Sequence, residues 1–265
     1  MSEQDDVAAE FWRSWFTTGE FAKEKRLFRL LKMIPSEPRC KFCGAPFHGV
    51  GAPIVRITMG KRPSRINPRY CNTCDEFARK NPGGAEVAMS MLFADMRGST
   101  ELSESMSPTE FSRLINRFFV EATHVLIQAD ALIDKLAGDA VAAFWGAGFA
   151  GEDYIARTIK AAKELLRVTG HDGNGEPWVP VGVGVHAGIA FIGAMGTADG
   201  ITDITAIGEQ VNLAARLGAS AGTGEILVTA KTLKAAGWPE GDHEIRELKL
   251  KGLADPVRVH VLHAV

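Results

Sequence analysis

Cysteine is scarce and confined to one stretch: the chain's four cysteines are Cys40, Cys43, Cys71 and Cys74. The 191 residues that follow hold none, which excludes a disulfide-stapled fold for most of the chain. Net charge is nearly absent as well, with 30 Lys and Arg against 32 Asp and Glu, so nothing draws the whole molecule to nucleic acid or an anionic membrane. Long apolar runs are also missing. Only Val179–Gly196 approaches membrane-spanning length without a formal charge, and it contains Pro180, His186 and five glycines. Val181, Val183 and Val185 alternate there with glycine or histidine, a strand period that predicts a hairpin in a sheet. The opening Met1–Asp6 is acidic and lacks the basic start and apolar stretch of a signal peptide. These absences lead to the expectation of a soluble, cytoplasmic protein. A hydrophobic content of 46% against 23% charged suits a real core.

What is present is organised around Met91–Thr100. The apolar run Val87–Ala94 ends in Asp95, and a Gly-Ser-Thr turn follows, which reads as a buried strand with a carboxylate at its C-terminal end. Such an acid beside backbone N–H groups can hold a divalent cation and the phosphates bridged to it. A second acid, Asp139, sits in a Gly138-Asp139 turn between the short apolar runs Ala131–Leu136 and Ala140–Trp145, a predicted hairpin. Paired beside the first strand, this hairpin would bring Asp95 and Asp139 to one sheet end, where a cation would relieve their repulsion. The alternative is two unrelated turn aspartates.

Ahead of this lies a region of different character. Residues 7–34 read as helical, with Phe11, Trp12, Trp15, Phe16, Leu27, Phe28, Leu30, Leu31 and Ile34; Thr17-Thr18-Gly19 divides them, and Pro35 and Pro38 end the second helix. These rings need a surface, either the chain's own core or a dimer contact. The four cysteines form two Cys-x-x-Cys pairs separated by 27 residues, the pattern of two knuckles around one tetrahedral zinc. An iron site or redox thiols are the other uses, and His48 is a spare ligand candidate. Residues 36–80 carry nine Lys or Arg against three Asp or Glu, with Arg56, Lys61, Arg62, Arg65 and Arg69 between the pairs. A basic zinc module can bind nucleic acid, although most such patches are solvated or steer anions. Asn81-Pro82-Gly83-Gly84 reads as a linker. The expected organisation is therefore N-terminal helices over 1–38, a four-cysteine module over 39–84, and a main domain over 85–265.

From Glu86 the order is strand, helix, strand, strand, helix, strand. Ser107-Pro108-Thr109-Glu110 is a capping box, and Phe111, Leu114, Ile115, Phe118, Phe119, Ala122, Val125 and Leu126 follow at helical spacing. A second helix is expected over Glu152–Val168. This βαββαβ order predicts an α+β fold, an antiparallel sheet covered by helices on one face.

Further on, Asn212 and Arg216 stand four apart on a predicted helix and share a face, an amide and a guanidinium able to hold a ribose and a phosphoryl oxygen together. Phe93-Ala94-Asp95-x-x-Gly98-x-Thr100, Lys135-x-x-Gly138-Asp139, Gly208-x-x-Val211-Asn212-x-x-x-Arg216 and Leu250-Lys251-Gly252 then stand in order. On these motifs the chain resembles the class III nucleotidyl cyclases, the adenylyl and guanylyl cyclase catalytic domain with its ferredoxin-like core, over about residues 86–263.

That resemblance implies a set of roles. Asp95 and Asp139, with the main chain of Met96, would bind two Mg²⁺ or Mn²⁺ ions. Gly98, Ser99 and Thr100 would contact phosphate through the main chain, and Lys251 would hold the triphosphate. Asn212 would orient the ribose, and Arg216 would stabilise charge on the transferring phosphoryl group. Lys135 and Thr205 would read the base. A lysine donor suits the N1 acceptor of adenine, whereas guanine presents an N–H there, so ATP is the expected substrate and cyclic AMP the product. Thr205 stands where Asp is most familiar and can donate as well as accept, which loosens discrimination. Ser99 replaces the usual Phe. A head-to-tail homodimer would complete two equivalent sites, with Lys135 and Asp139 serving opposite ones. The alternatives are GTP or a pyrimidine triphosphate as substrate, a catalytically weak nucleotide-binding module, and a nucleic-acid-binding zinc module on a cyclase scaffold.

Overall fold

The computed structural model describes residues 3–18, 26, 27, 30, 31, 33, 34, 38–196, 200–239, 241, 243–253 and 255–265. Gly19, Phe28 and Pro35, on which the expected second N-terminal helix rests, lie outside the described residues. In chain order the elements are α1 (Glu3–Thr17), α2 (Gly51–Met59), α3 (Asn72–Lys80), β1 (Gly83–Met96), α4 (Ser99–Ser105), α5 (Pro108–Gln128), β2 (Leu132–Ala137), β3 (Ala140–Trp145), α6 (Ala147–Ala150), α7 (Tyr154–Val168), β4 (Val181–Gly196), β5 (Thr202–Ile207), α8 (Glu209–Ser220), β6 (Ile226–Thr229), α9 (Ala230–Ala235), β7 (Ile245–Leu248) and β8 (Val257–Leu262). The strands form one mixed sheet in the order β2-β3-β1-β4-β6-β8-β7, with β5 paired to β4.

The chain divides into two compact units. One comprises Met1–Val87, Ala147–Phe149 and Ala190–Ile207; the other comprises Ala88–Gly146, Ala150–Ile189 and Gly208–Val265. In the first, Trp12, Trp15 and Phe16 are buried, and the Trp12 indole N–H donates to the Asn81 carbonyl at 3.1 Å. Trp15 stacks on Phe42 with centroids 5.4 Å apart, and Phe42 stacks on Phe77 at 5.9 Å. Phe42 lies inside the first cysteine pair, so α1 packs its aromatic face directly on that knuckle.

In the second unit, α5 begins as its sequence dictates. Ser107 Oγ accepts the Glu110 N–H at 3.3 Å, and the Glu110 carboxylate accepts the Ser107 N–H at 2.9 Å. Phe118, Ala122, Val125 and Leu126 form its buried stripe. The expected hairpin is β2–β3, turning at Gly138 with φ +63°, and β3 pairs antiparallel with β1. Leu217, Ala221, Leu227, Leu250, Val259 and Val261 close a core beneath α8.

Three expectations are corrected. Val179–Gly196 is no hairpin: Val181–Gly196 runs as one strand. Its glycines serve close approach rather than turning, since a Cβ on Gly184 would stand 2.1 Å from the Gly218 amide nitrogen. Gly83 and Gly84 are no linker and open β1, where a Cβ on Gly84 would meet the Ile192 carbonyl oxygen at 2.3 Å. The sheet is not wholly antiparallel, because β4 and β6 run parallel through Val183↔Ile226 and Val185↔Val228.

Gly184→Ala must push backbone from backbone and is expected to lower stability by about 3 kcal/mol in urea unfolding. Gly138→Asn, in open space at a φ that Asn tolerates, should lower it by less than about 1 kcal/mol. Equal effects would contradict the packing account.

Candidate active site

The last residues of β1 and the β2–β3 turn build an acidic corner. Asp95 stands opposite Ala140 in the β1–β3 register, and the Met96 N–H donates to the Asp139 carbonyl at 3.2 Å. Burial, and then the neighbouring Asp139 carboxyl, push the Asp95 carboxyl above its ordinary range against the pull of Arg97. An acid raised by burial beside a second half-buried acid suits a divalent cation bridging the two. At full occupancy that cation would replace the partial compensation Arg97 gives.

Arg97 is a residue the sequence motif leaves blank. Its guanidinium pairs with the Asp95 carboxylate, its Nη1 donates to the Ala219 carbonyl at 2.7 Å, and its backbone N–H donates to the Pro180 carbonyl at 2.8 Å. It therefore ties the acidic strand end to the last turn of α8. The available signal was its place two residues after Asp95, in the turn that follows β1. After it, Gly98 adopts φ +64° and accepts the Leu102 N–H at 2.9 Å, starting α4 at Ser99 with Thr100 exposed.

Asn212 and Arg216 lie on α8 as expected, Asn212 exposed and Arg216 half-buried. The Lys251-Gly252 turn stands beside Arg216: Gly252 has φ +78°, and a Cβ there would be 3.2 Å from Arg216 Nη2. Lys251 itself is exposed. Lys135 projects from β2, with its ammonium 3.1 Å from the carboxylate of the buried Asp134. Thr205 belongs to the first unit, on β5, where its Oγ1 is buried without a hydrogen-bond partner. The structure thus brings Asp95 to Asp139 and Arg216 to the Lys251-Gly252 turn.

The first unit holds a second candidate centre. Cys40, Cys43, Cys71 and Cys74 are all buried, and their sulfurs lie within 4.8 Å of one another, with Cys43 and Cys71 sulfurs 3.8 Å apart. Four sulfurs about 2.3 Å from one tetrahedral ion would be about 3.8 Å apart, so this cage fits a single zinc-sized ion. The Cys71 N–H donates to Cys40 Sγ at 3.2 Å, a bond that stabilises a thiolate. Lys61, read from sequence as one of a solvated basic group, is instead buried with its ammonium 3.8 Å from Cys71 Sγ. Burial opposes its charge, but the thiolates of Cys43 and Cys71 lift it above the usual ammonium value. A cation facing the cluster offsets the excess negative charge of four thiolates on a divalent ion.

The adenylate and guanylate cyclase catalytic domain family matches residues 85–264. An adenylate cyclase of Anabaena cylindrica is 31% identical over 188 residues, covering 66% of this chain and 37% of that protein. An uncharacterised Mycobacterium tuberculosis protein is 32% identical over 195 residues, covering 69% of this chain and 34% of that protein. The chain thus spans about a third of the length of these curated relatives. The crystal structure of the guanylyl cyclase Cya2 superposes with a TM-score of 0.61 at 29% identity, covering 68% of this chain and 93% of that one. The adenylyl cyclase CyaB from P. aeruginosa, at 24% identity, shares the fold with a TM-score of 0.58 over 68% of this chain and 96% of that one. With its α+β sheet, its paired strand-end acids and a match over more than half its length, the chain belongs to the adenylate and guanylate cyclase catalytic domain family.

Proposed function

We propose that the protein is an adenylyl cyclase that converts ATP to 3′,5′-cyclic AMP and pyrophosphate at sites shared between two head-to-tail copies. The convergence of Asp95 and Asp139 at the end of β1 carries this reading. Two divalent cations there, Mg²⁺ or Mn²⁺, would supply a lowered pKa for the ribose 3′-hydroxyl and charge neutralisation for the triphosphate. The chain's own groups do the rest. Asp95 and Asp139 hold the cations, and the main chain of Met96 and of Gly98, Ser99 and Thr100 lines the phosphate path. Asn212 and Arg216 of the second copy orient the ribose and take up charge at the α-phosphorus, with Gly252 leaving room for the guanidinium and Lys251 beside the phosphates. The 3′-oxygen bonds to the α-phosphorus, the bond to the β-phosphate bridge breaks, pyrophosphate leaves, and the hydroxyl proton passes to solvent.

The relatives include cyclases of both purines, so the base reading rests on side chains. Lys135 donates to adenine N1, and the unpartnered Thr205 hydroxyl accepts from the adenine amino group. Product chromatography with all four nucleoside triphosphates and Mn²⁺ should yield cyclic AMP as the main product; cyclic GMP in excess would overturn the choice of base.

The shared site has its own test. Asp95→Ala and Asn212→Ala should each be inactive, and an equimolar mixture should recover about a quarter of wild-type turnover, because random pairing makes half the dimers mixed, each with one intact site. No recovery from two folded variants would contradict shared sites.

The four-cysteine cage holds structural zinc in this proposal. Elemental analysis of the purified protein should find about one zinc per chain, and Cys43→Ser should abolish it and lower the thermal midpoint. A folded, zinc-free wild-type protein would contradict the assignment.

A further inference from the structure

The outer edge of β5 is closed by side chains from between and beside the cysteines. Along a strand, alternate residues turn their main-chain groups to the same edge. On the edge of β5 away from β4, the Thr202 carbonyl accepts from Asn67 Nδ2 at 2.9 Å, the Ile204 N–H donates to the Tyr70 hydroxyl at 2.9 Å, and the Ile204 carbonyl accepts from Lys41 Nζ at 2.8 Å. An edge strand that would otherwise present bare main-chain groups is thus paired by three side chains.

The same groups grip Asp203. Its carboxylate takes the Lys41 ammonium at 2.6 Å, the Tyr70 hydroxyl, and Arg69 Nη1 at 3.4 Å. Lys41 and Tyr70 are both buried deeply, with the Lys41 side chain only 7% exposed. Burial opposes the Asp203 charge, yet Lys41 and Tyr70 together hold the carboxyl below its usual range. Asp203 and Thr205, two apart on β5, share a strand face.

The clamp is assembled by the metal cage. Lys41 lies within the first cysteine pair and Tyr70 immediately precedes the second. The Lys41 N–H donates to the Arg69 carbonyl at 2.8 Å and the Cys71 N–H to Cys40 Sγ at 3.2 Å, so the two knuckles must stand together for Lys41 and Tyr70 to reach Asp203 side by side. An ion coordinated by the four cysteines would hold two knuckles 27 residues apart in that register.

We propose that the four-cysteine module is a specificity device for the cyclase reaction: through Lys41 and Tyr70 it fixes Asp203 and the edge of β5, and thereby the placement of Thr205 against the nucleobase. Tyr70, Lys41 and Asp203 are positioning residues, and the inference rests on the reading of Thr205 as a base contact. The metal of the module then governs which nucleotide is accepted, while the acids that carry the cations of the reaction stay untouched.

The test is steady-state kinetics of the full-length protein with ATP and GTP, alongside calorimetric binding of a non-cyclisable ATP analogue. Tyr70→Phe removes one hydroxyl and keeps the packing; it should raise KM for ATP and weaken analogue binding by about tenfold, with kcat within about twofold and zinc content unchanged. Lys41→Gln and Asp203→Asn should shift the ATP-to-GTP ratio in the same direction, which a merely structural weakening would not do. Thr205→Ala separates the two layers of the argument. If Thr205→Ala changes the ATP-to-GTP ratio but Tyr70→Phe changes neither KM nor that ratio, the clamp is overturned and the base contact stands. If Thr205→Ala changes nothing, the base contact and the inference fall together.

Discussion

Two carboxylates at the end of one sheet repel unless a positive charge lies between or beside them, and the catalytic unit is arranged around that constraint. Asp95 sits at the end of a buried strand, opposite the turn that carries Asp139, in a register fixed by the β1–β3 pairing. Arg97 gives partial relief from the side, while burial and the second acid keep the Asp95 carboxyl raised. Since its folded value is the raised one, the ionised form subtracts from stability at neutral pH. That penalty shrinks as pH falls through the folded value and is gone below the ordinary one. A bound divalent cation removes it without a change of pH, so the corner that is least comfortable alone is the one that favours occupation.

The first unit meets the same constraint with sulfur in place of oxygen. Four buried thiols need a cation to become four thiolates, and Lys61 and the Cys71 N–H are already turned toward them. The order imposed there is handed on by hydrogen bonds, through Lys41 and Tyr70, to the edge of β5. The metal cage and the base-reading strand are consequently one mechanical piece in the proposed account. The aromatic face of α1 packs on Phe42 inside the first knuckle and adds to the same piece.

Much of this was legible in the residues. The β1 run closed by Asp95, the Gly138-Asp139 hairpin, the Ser107 capping box and the helical pair Asn212 and Arg216 are local patterns, and local patterns survive folding. What the sequence concealed were contacts between distant segments. The glycines between Val181 and Gly193 read as turn formers because nothing local reveals that Gly218 and Gly83 will press against them. Lys61 read as solvated because its burial depends on a cysteine ten residues later, and Asp203 carried no signal beyond its two-residue offset from Thr205. Arg97 fell in a variable position of a recognised motif, and only the close of α8 against β1 gives it a second partner at Ala219.

The central claim is that the Asp95–Asp139 corner is a cation site. Mn²⁺ binding followed by electron paramagnetic resonance, with a non-cyclisable ATP analogue present, tests it without turnover. The account predicts saturable Mn²⁺ binding to the wild-type protein that weakens at least about tenfold in Asp139→Asn while the zinc content of the cysteine cage stays constant. Undiminished Mn²⁺ binding in both Asp95→Asn and Asp139→Asn would contradict it.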